Sequence, residues 1–266
     1  MDMTLNSTSL DTICAALAYA MGADAPIGAA NANNALTAYL DRSLQGSKCD
    51  RLFLYNPDAV AQWIAEKYAA LLKEVTEVTD LALPLCSVMP SVTPVCFATM
   101  YTGLQPEKHG IRAYKKPVLT VQTLFDTLIA AGKKIAIVAT TNCSIAKIFL
   151  ERQMDYFIYE DLAAVNAKAA QLILEDRHDV IVVYNGNYDE VMHKTGPEGI
   201  DALSELRINT HCYRIFDSLI AEHWKQHRTL LGFATDHGCH EIDGSSGSHG
   251  LDMPEDLNIL HYYRVR

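Results

Sequence analysis

The sequence predicts an α/β protein built on a doubly wound, mostly parallel sheet with helices on both faces. Three observations carry that expectation. Short apolar runs alternate with stretches of helical spacing along most of the chain. Several of those runs stop abruptly in acidic residues, asparagine or histidine, and the carboxyl edge of an open α/β sheet is where such side chains meet a ligand. At 266 residues the chain is long enough to bury a large core in one domain.

Taken in order, residues 1–48 are rich in Ala, Asn and Thr and predict helices over about 9–21 and 33–44, broken by the loop Gly22 to Gly28. This segment is too small for a core of its own and reads as an N-terminal helical arm packed on a domain spanning 49–266. A strand is expected at Arg51 to Tyr55, stopped by Pro57, with a helix from Ala59 to Lys73. The run Leu81 to Met89 predicts a strand, and a helix over about 94–103 closes at Gly103. Next come a helix at 117–131, a strand at 134–139, a helical turn near 144–151, a strand at 155–159 and a helix at 161–176. Strand 179–184 and the long helix 200–225 lead to the apolar run ending at Ala234.

The net charge of −10 excludes a basic nucleic-acid-binding surface but not an anionic small substrate. Two divalent cations would add about four positive charges and reverse the local sign. Seven scattered cysteines without a CxxC pair suit reduced thiols and a cytoplasmic protein. No run reaches the roughly 18 apolar residues of a membrane span, and the apolar stretch Ile13 to Met21 lacks the preceding positive charge of a signal peptide. There is no P-loop, dinucleotide glycine fingerprint or GxSxG elbow.

Four places carry candidate chemistry. Asp58 falls just past the first strand, where it either caps the following helix or binds metal. Thr93, ahead of Pro94, is either an ordinary helix N-cap or a nucleophile at a helix start that favours phosphate. Asp189 and His193, four apart, share one face if their segment is helical, or else form a solvated pair. Asp236 and His237 end the last apolar run, and a glycine-serine loop delivers His249. Aspartate oxygen and imidazole nitrogen suit zinc or manganese, whereas a capping Asp236 and a solvated His237 are the plainer reading.

Together these pieces resemble the alkaline phosphatase superfamily, most closely its type I phosphodiesterase/nucleotide pyrophosphatase branch. Pro90-Ser91-Val92-Thr93-Pro94 with the trailing Thr102-Gly103-Leu104-Gln105-Pro106-Glu107-Lys108-His109-Gly110-Ile111 is similar to the nucleophile segment. Asp189 to His193 followed by Gly196-Pro197, Thr235-Asp236-His237-Gly238 and Gly247-Ser248-His249-Gly250 are similar to its metal motifs, in the same order. The match spans roughly 50–260. It implies an alkaline-phosphatase-like core with a minimal cap and two divalent ions, zinc or manganese. One ion would be held by Asp58, Asp236, His237 and the Thr93 oxygen, the other by Asp189, His193 and His249. Asn56 rivals Asp58, because the frame of Asn56-Pro57-Asp58-Ala59 is shifted. The implied activity is hydrolysis of a small phosphate ester through a phospho-threonine at Thr93. Alternatives are a phosphotransferase or mutase of the same superfamily, and a metal-binding relative without turnover. Cys96, a weak donor one helical turn past Thr93, leaves the choice between monoesters and diesters open.

Overall fold

Seven strands form one sheet in the computed structural model, which describes residues 4–266. The chain enters through helices α1 (Thr12–Ala20) and α2 (Asn34–Leu44). Strand β1 (Arg51–Pro57) is followed by α3 (Gln62–Lys67), α4 (Ala69–Thr76) and β2 (Leu81–Cys86). Then come α5 (Thr93–Thr102), α6 (Pro106–His109), α7 (Leu124–Ala130), β3 (Ile135–Thr140), α8 (Ser144–Ile148) and β4 (Asp155–Tyr159). The second half runs α9 (Leu162–Glu175), β5 (Val180–Asn185), α10 (Asn187–Thr195), α11 (Ile200–His223) and β6 (Thr229–Ala234). A hairpin of β7 (His240–Ile242) and β8 (Ser246–Ser248), the turn α12 (Pro254–Leu257) and β9 (Asn258–Val265) close the chain.

The strand order is β2-β9-β6-β1-β5-β3-β4. Within the sheet, β9 alone runs antiparallel to its neighbours, β6 and β2. The central strands β5 and β6 are buried at every position, as parallel strands covered on both faces must be. Alternation along β1 divides the core into two layers. Leu52 and Leu54 face α1, α5, α7 and α8, whereas Phe53 and Tyr55 face α9, α10 and α11. The alkaline-phosphatase-like, doubly wound core expected from the sequence is therefore present. The N-terminal segment shares the first layer: Ile13, Cys14 and Leu17 of α1 are fully buried, and the Ala30 amide donates to the Gly103 carbonyl.

Three expectations need correction. The helix expected from Ala59 to Lys73 begins at Gln62 and breaks at Tyr68. Its first residues are committed elsewhere: Ala59 has φ +62°, its amide donates to Asp236 Oδ1 at 3.3 Å, and the Val60 amide donates to Thr235 Oγ1 at 3.0 Å. The helix expected from 117 starts only at Leu124, where Thr123 and Asp126 exchange a capping box. The glycine-serine stretch after His240 is a two-stranded hairpin, and the sheet gains β9, which the sequence reading did not propose.

Candidate metal centre

The candidate residues gather beyond the carboxyl ends of β1, β5 and β6. Asp58, Asp236 and His237 are almost wholly buried together. His237 Nε2 lies 3.3 Å from Asp58 Oδ1 and 3.4 Å from Asp236 Oδ2. None of the plainer readings of these residues survives. Asp58 caps no helix, since the cap residue of α3 is Ala61. No helix starts at Asp236, and His237 has no solvent. Asn56, the rival to Asp58, is tied into the sheet: its amide donates to the Ala234 carbonyl at 2.6 Å and its oxygen accepts from Tyr101 at 2.6 Å.

Thr93 is the first residue of α5, not its cap; Val92 holds the cap position. Its hydroxyl is therefore free of capping duty and lies 3.4 Å from His237 Nε2. The helix behind it is anchored by His109, buried in the trailing motif. The Ile111 amide donates to His109 Nδ1 at 3.2 Å, so the ring donates through Nε2 to Thr99 Oγ1 at 3.0 Å. Cys96 is fully buried with Sγ 3.2 Å from Ser87 Oγ, out of reach of any substrate.

A second group adjoins the first. Asp189 and His193 do share one face of α10, and Asp189 Oδ1 lies 3.4 Å from both His193 Nε2 and His249 Nε2. What presses the hairpin onto α10 is Gly247. A Cβ there would meet Met192 Sδ at 2.6 Å and the Met192 carbonyl at 2.8 Å. The two groups touch through the rings of His237 and His249, stacked with centroids 4.1 Å apart. In each group, one ligand-type atom from each residue can be chosen so that all three lie within 4.8 Å of one another.

The proton positions decide what the site lacks. Each of the three imidazoles donates Nδ1–H to a backbone carbonyl: His237 to Gly238 at 2.9 Å, His193 to Gly247 at 2.9 Å and His249 to Ser91 at 2.8 Å. When the rings are neutral, as a ligating imidazole must be, every Nε2 turns a lone pair toward a carboxylate oxygen. Those oxygens, Asp58 Oδ1, Asp236 Oδ2 and Asp189 Oδ1, are buried without a hydrogen-bond partner. Lone pairs facing lone pairs at 3.3–3.4 Å repel unless a cation or protons stand between them. Backbone-fixed imidazoles and unpaired carboxylates are what a metal's outer partners produce.

The crowding of these groups shifts their acidities. Burial, then the charge of Asp189, pushes the Asp58 carboxyl up to about 6, although His237 and the hydrogen bond from Tyr184 pull against it. Burial and the nearby Asp58 raise Asp236 well above the usual carboxylate range. For Asp189 burial also acts upward, but His193 beside it and the other surrounding imidazoles outweigh it and hold the group low. Burial, then His237, lowers His249 to about 3, which leaves it neutral and able to ligate at pH 7. His193 is raised to about 8 by the Asp189 carboxylate beside it.

Sequence reasoning missed the supports. The Tyr184 hydroxyl donates to Asp58 Oδ2, and Gly186 leaves room for it, since a Cβ there would lie 2.6 Å from that hydroxyl. Ser91, inside the nucleophile segment, holds His249 through its carbonyl and accepts from the Gly250 amide at 3.1 Å. Beside the second group opens a cavity of about 870 Å³, lined among others by Tyr114, Cys143, Tyr184, Asp189, His193 and His249.

A family model for type I phosphodiesterase / nucleotide pyrophosphatase matches residues 57–127, the stretch that carries Asp58 and Thr93. Curated proteins gave no match. Two solved structures of murine ectonucleotide pyrophosphatase / phosphodiesterase 5, one of them an inactive form in complex with AMP, superpose with a TM-score of 0.59 at 15% identity. The match covers 73% of this chain and 58% of theirs, so the chain spans well under two thirds of their length. At that identity the likeness is one of fold. The resemblance to the alkaline phosphatase superfamily read from the motifs is thus matched in sequence over 57–127 and in architecture over most of the chain.

Proposed function

We propose that the chain hydrolyses small phosphate esters with two divalent cations and Thr93 as nucleophile. The observation that carries this reading is the set of three buried, unpartnered carboxylate oxygens facing imidazole Nε2 atoms beside the Thr93 hydroxyl. Asp58, Asp236, His237 and the Thr93 oxygen would hold one ion, and Asp189, His193 and His249 the other. Bound there, the ions would offset the crowded carboxylates, polarise phosphoryl oxygens and favour ionised oxygen nucleophiles. Three imidazoles and three carboxylates with no thiolate suit zinc, with manganese next.

The chain's own groups divide the work. Thr93 Oγ1, at the start of α5 where amides lack intrahelical partners, attacks phosphorus. The bond to the ester oxygen breaks in line, and the leaving alkoxide or phenoxide takes up a proton. Water then opens the phospho-threonine, releasing phosphate and restoring the hydroxyl. Burial around His237 keeps bulk water from the nucleophile's inner side.

The cavity exceeds what a phosphoryl group needs and would seat the leaving group. Its lining includes the acids Glu160, Asp161 and Glu190, and its lysine, Lys194, is paired with Glu190 at 2.8 Å. That charge favours an ester with a single phosphoryl group over a polyphosphate. The unpaired state of all seven cysteines supports a reducing, cytoplasmic setting. Among the described residues no helix is long and apolar enough to cross a membrane.

The test is turnover of aryl phosphate monoesters and diesters after zinc or manganese loading. Thr93→Ala should abolish turnover while leaving metal uptake in place, and acid quenching of the wild type should trap phosphate on Thr93. Tight metal uptake with no turnover on any ester would favour a binding role instead.

A further inference from the structure

His240 and Asp256 stand outside the two clusters, yet they grip both flanks of the segment that joins them. Asp256 is fully buried in α12. As a carboxylate it can only accept, so His240 donates Nδ1–H to its Oδ1 at 2.7 Å, and the Leu251 amide donates to its Oδ2 at 2.8 Å. His240 lies three residues after His237, and Leu251 two residues after His249. One side chain thus ties together the outgoing and returning arms of the β7–β8 hairpin. The outgoing arm has a further tether, because the Gly238 amide donates to the Asp256 carbonyl at 2.7 Å and a Cβ at Gly238 would lie 2.1 Å from the Glu255 carbonyl. The returning arm is held at Gly250 by the Ser91 hydroxyl and at Leu251 by Asp256.

We propose that Asp256, with His240, is a positioning pair that sets the separation of the two cation sites by fixing where the hairpin returns His249. The inference rests on the two-cation reading above. It predicts an asymmetry. His237 keeps its backbone tether when the Asp256 side chain is altered, whereas His249 loses one of its anchors. The ion held by Asp189, His193 and His249 should therefore weaken selectively.

Zinc titration of the full chain by calorimetry tests this, with metal-free melting recorded alongside. The wild type should bind two ions. Asp256→Asn offers one oxygen where two donors, His240 and the Leu251 amide, need acceptors, and His240→Ala, at a partly exposed position, leaves the Leu251 contact in place. Both should keep one ion at wild-type affinity and bind the second about 10–100-fold more weakly, the usual cost of losing an outer partner. The effect should be larger in Asp256→Asn, and His249→Ala should cost the second ion less in that background than it costs the wild type. Two ions bound at wild-type affinity in both variants, or parallel weakening of both ions, would overturn the proposal. Failure of the wild type to take up zinc would overturn the two-cation reading itself and this inference with it.

Discussion

Asp58→Asn should make the metal-free protein more stable and the metal-loaded protein less stable. In the wild type without metal, Asp58 is buried and its carboxyl lies near 6, raised first by burial and then by Asp189. In the unfolded chain the group returns to its ordinary value near 3.8. Because the folded value is the higher one, the native state binds the extra proton between these limits. Stability therefore falls as pH rises through that window, and the full cost is present above pH 6. Two pH units correspond to about 3 kcal/mol at pH 7.5. Asparagine removes the charge, and its oxygen can still accept from Tyr184. For a chain of this size the gain amounts to a rise in Tm of about 5–10 °C by calorimetry in chelator. With zinc at 1,000 times its Kd the wild type gains about 4.1 kcal/mol per site, nearly all of which the variant forfeits at the first site. The stability order should therefore cross on adding metal. A variant less stable than wild type in chelator, or as strongly stabilised as wild type by zinc, would refute this account of Asp58.

Two further outcomes test the supports. Gly186→Ala places a Cβ 2.6 Å from the Tyr184 hydroxyl; it should displace that donor from Asp58 and weaken the first ion by about tenfold or more, read by zinc titration. His261 is fully buried, donates through Nε2 to the Thr235 carbonyl at 2.6 Å and accepts from Tyr263, and burial lowers it to about 4. Its folded value lies below the ordinary 6.5, so the stability of the neutral ring is complete above pH 6.5 and lost as pH falls toward 4. The loss is about 3 kcal/mol, and urea unfolding across that range should show a shallower slope in His261→Asn.

The parts of this architecture that could be read from the sequence are those whose cause is local. The runs that became β1, β5 and β6 are apolar because they are covered on both faces, and the polar residues that end them, Asp58, Asp189 and Asp236, lie at the sheet's carboxyl edge. Thr93, His193, His237 and His249 were found because the motifs repeat a spacing. Other features have causes distant in sequence. The choice of Asp58 over Asn56 depends on Ala59 entering the left-handed region so that its amide can reach Asp236, 177 positions on. Tyr184 and Ser91 reach their partners over 126 and 158 positions, and each alone reads as an ordinary strand tyrosine or loop serine. Strand β9 is antiparallel and pairs with β2 and β6 from opposite ends of the chain, so nothing in its own eight residues says where it inserts.

The central claim is that six side chains and one hydroxyl hold two adjacent cations. Anomalous diffraction at the zinc edge from crystals grown with zinc measures it most directly. Two peaks are expected, one contacting Asp58, Asp236 and His237 next to Thr93, the other contacting Asp189, His193 and His249. No peak at either group, or zinc only at surface residues, would contradict it.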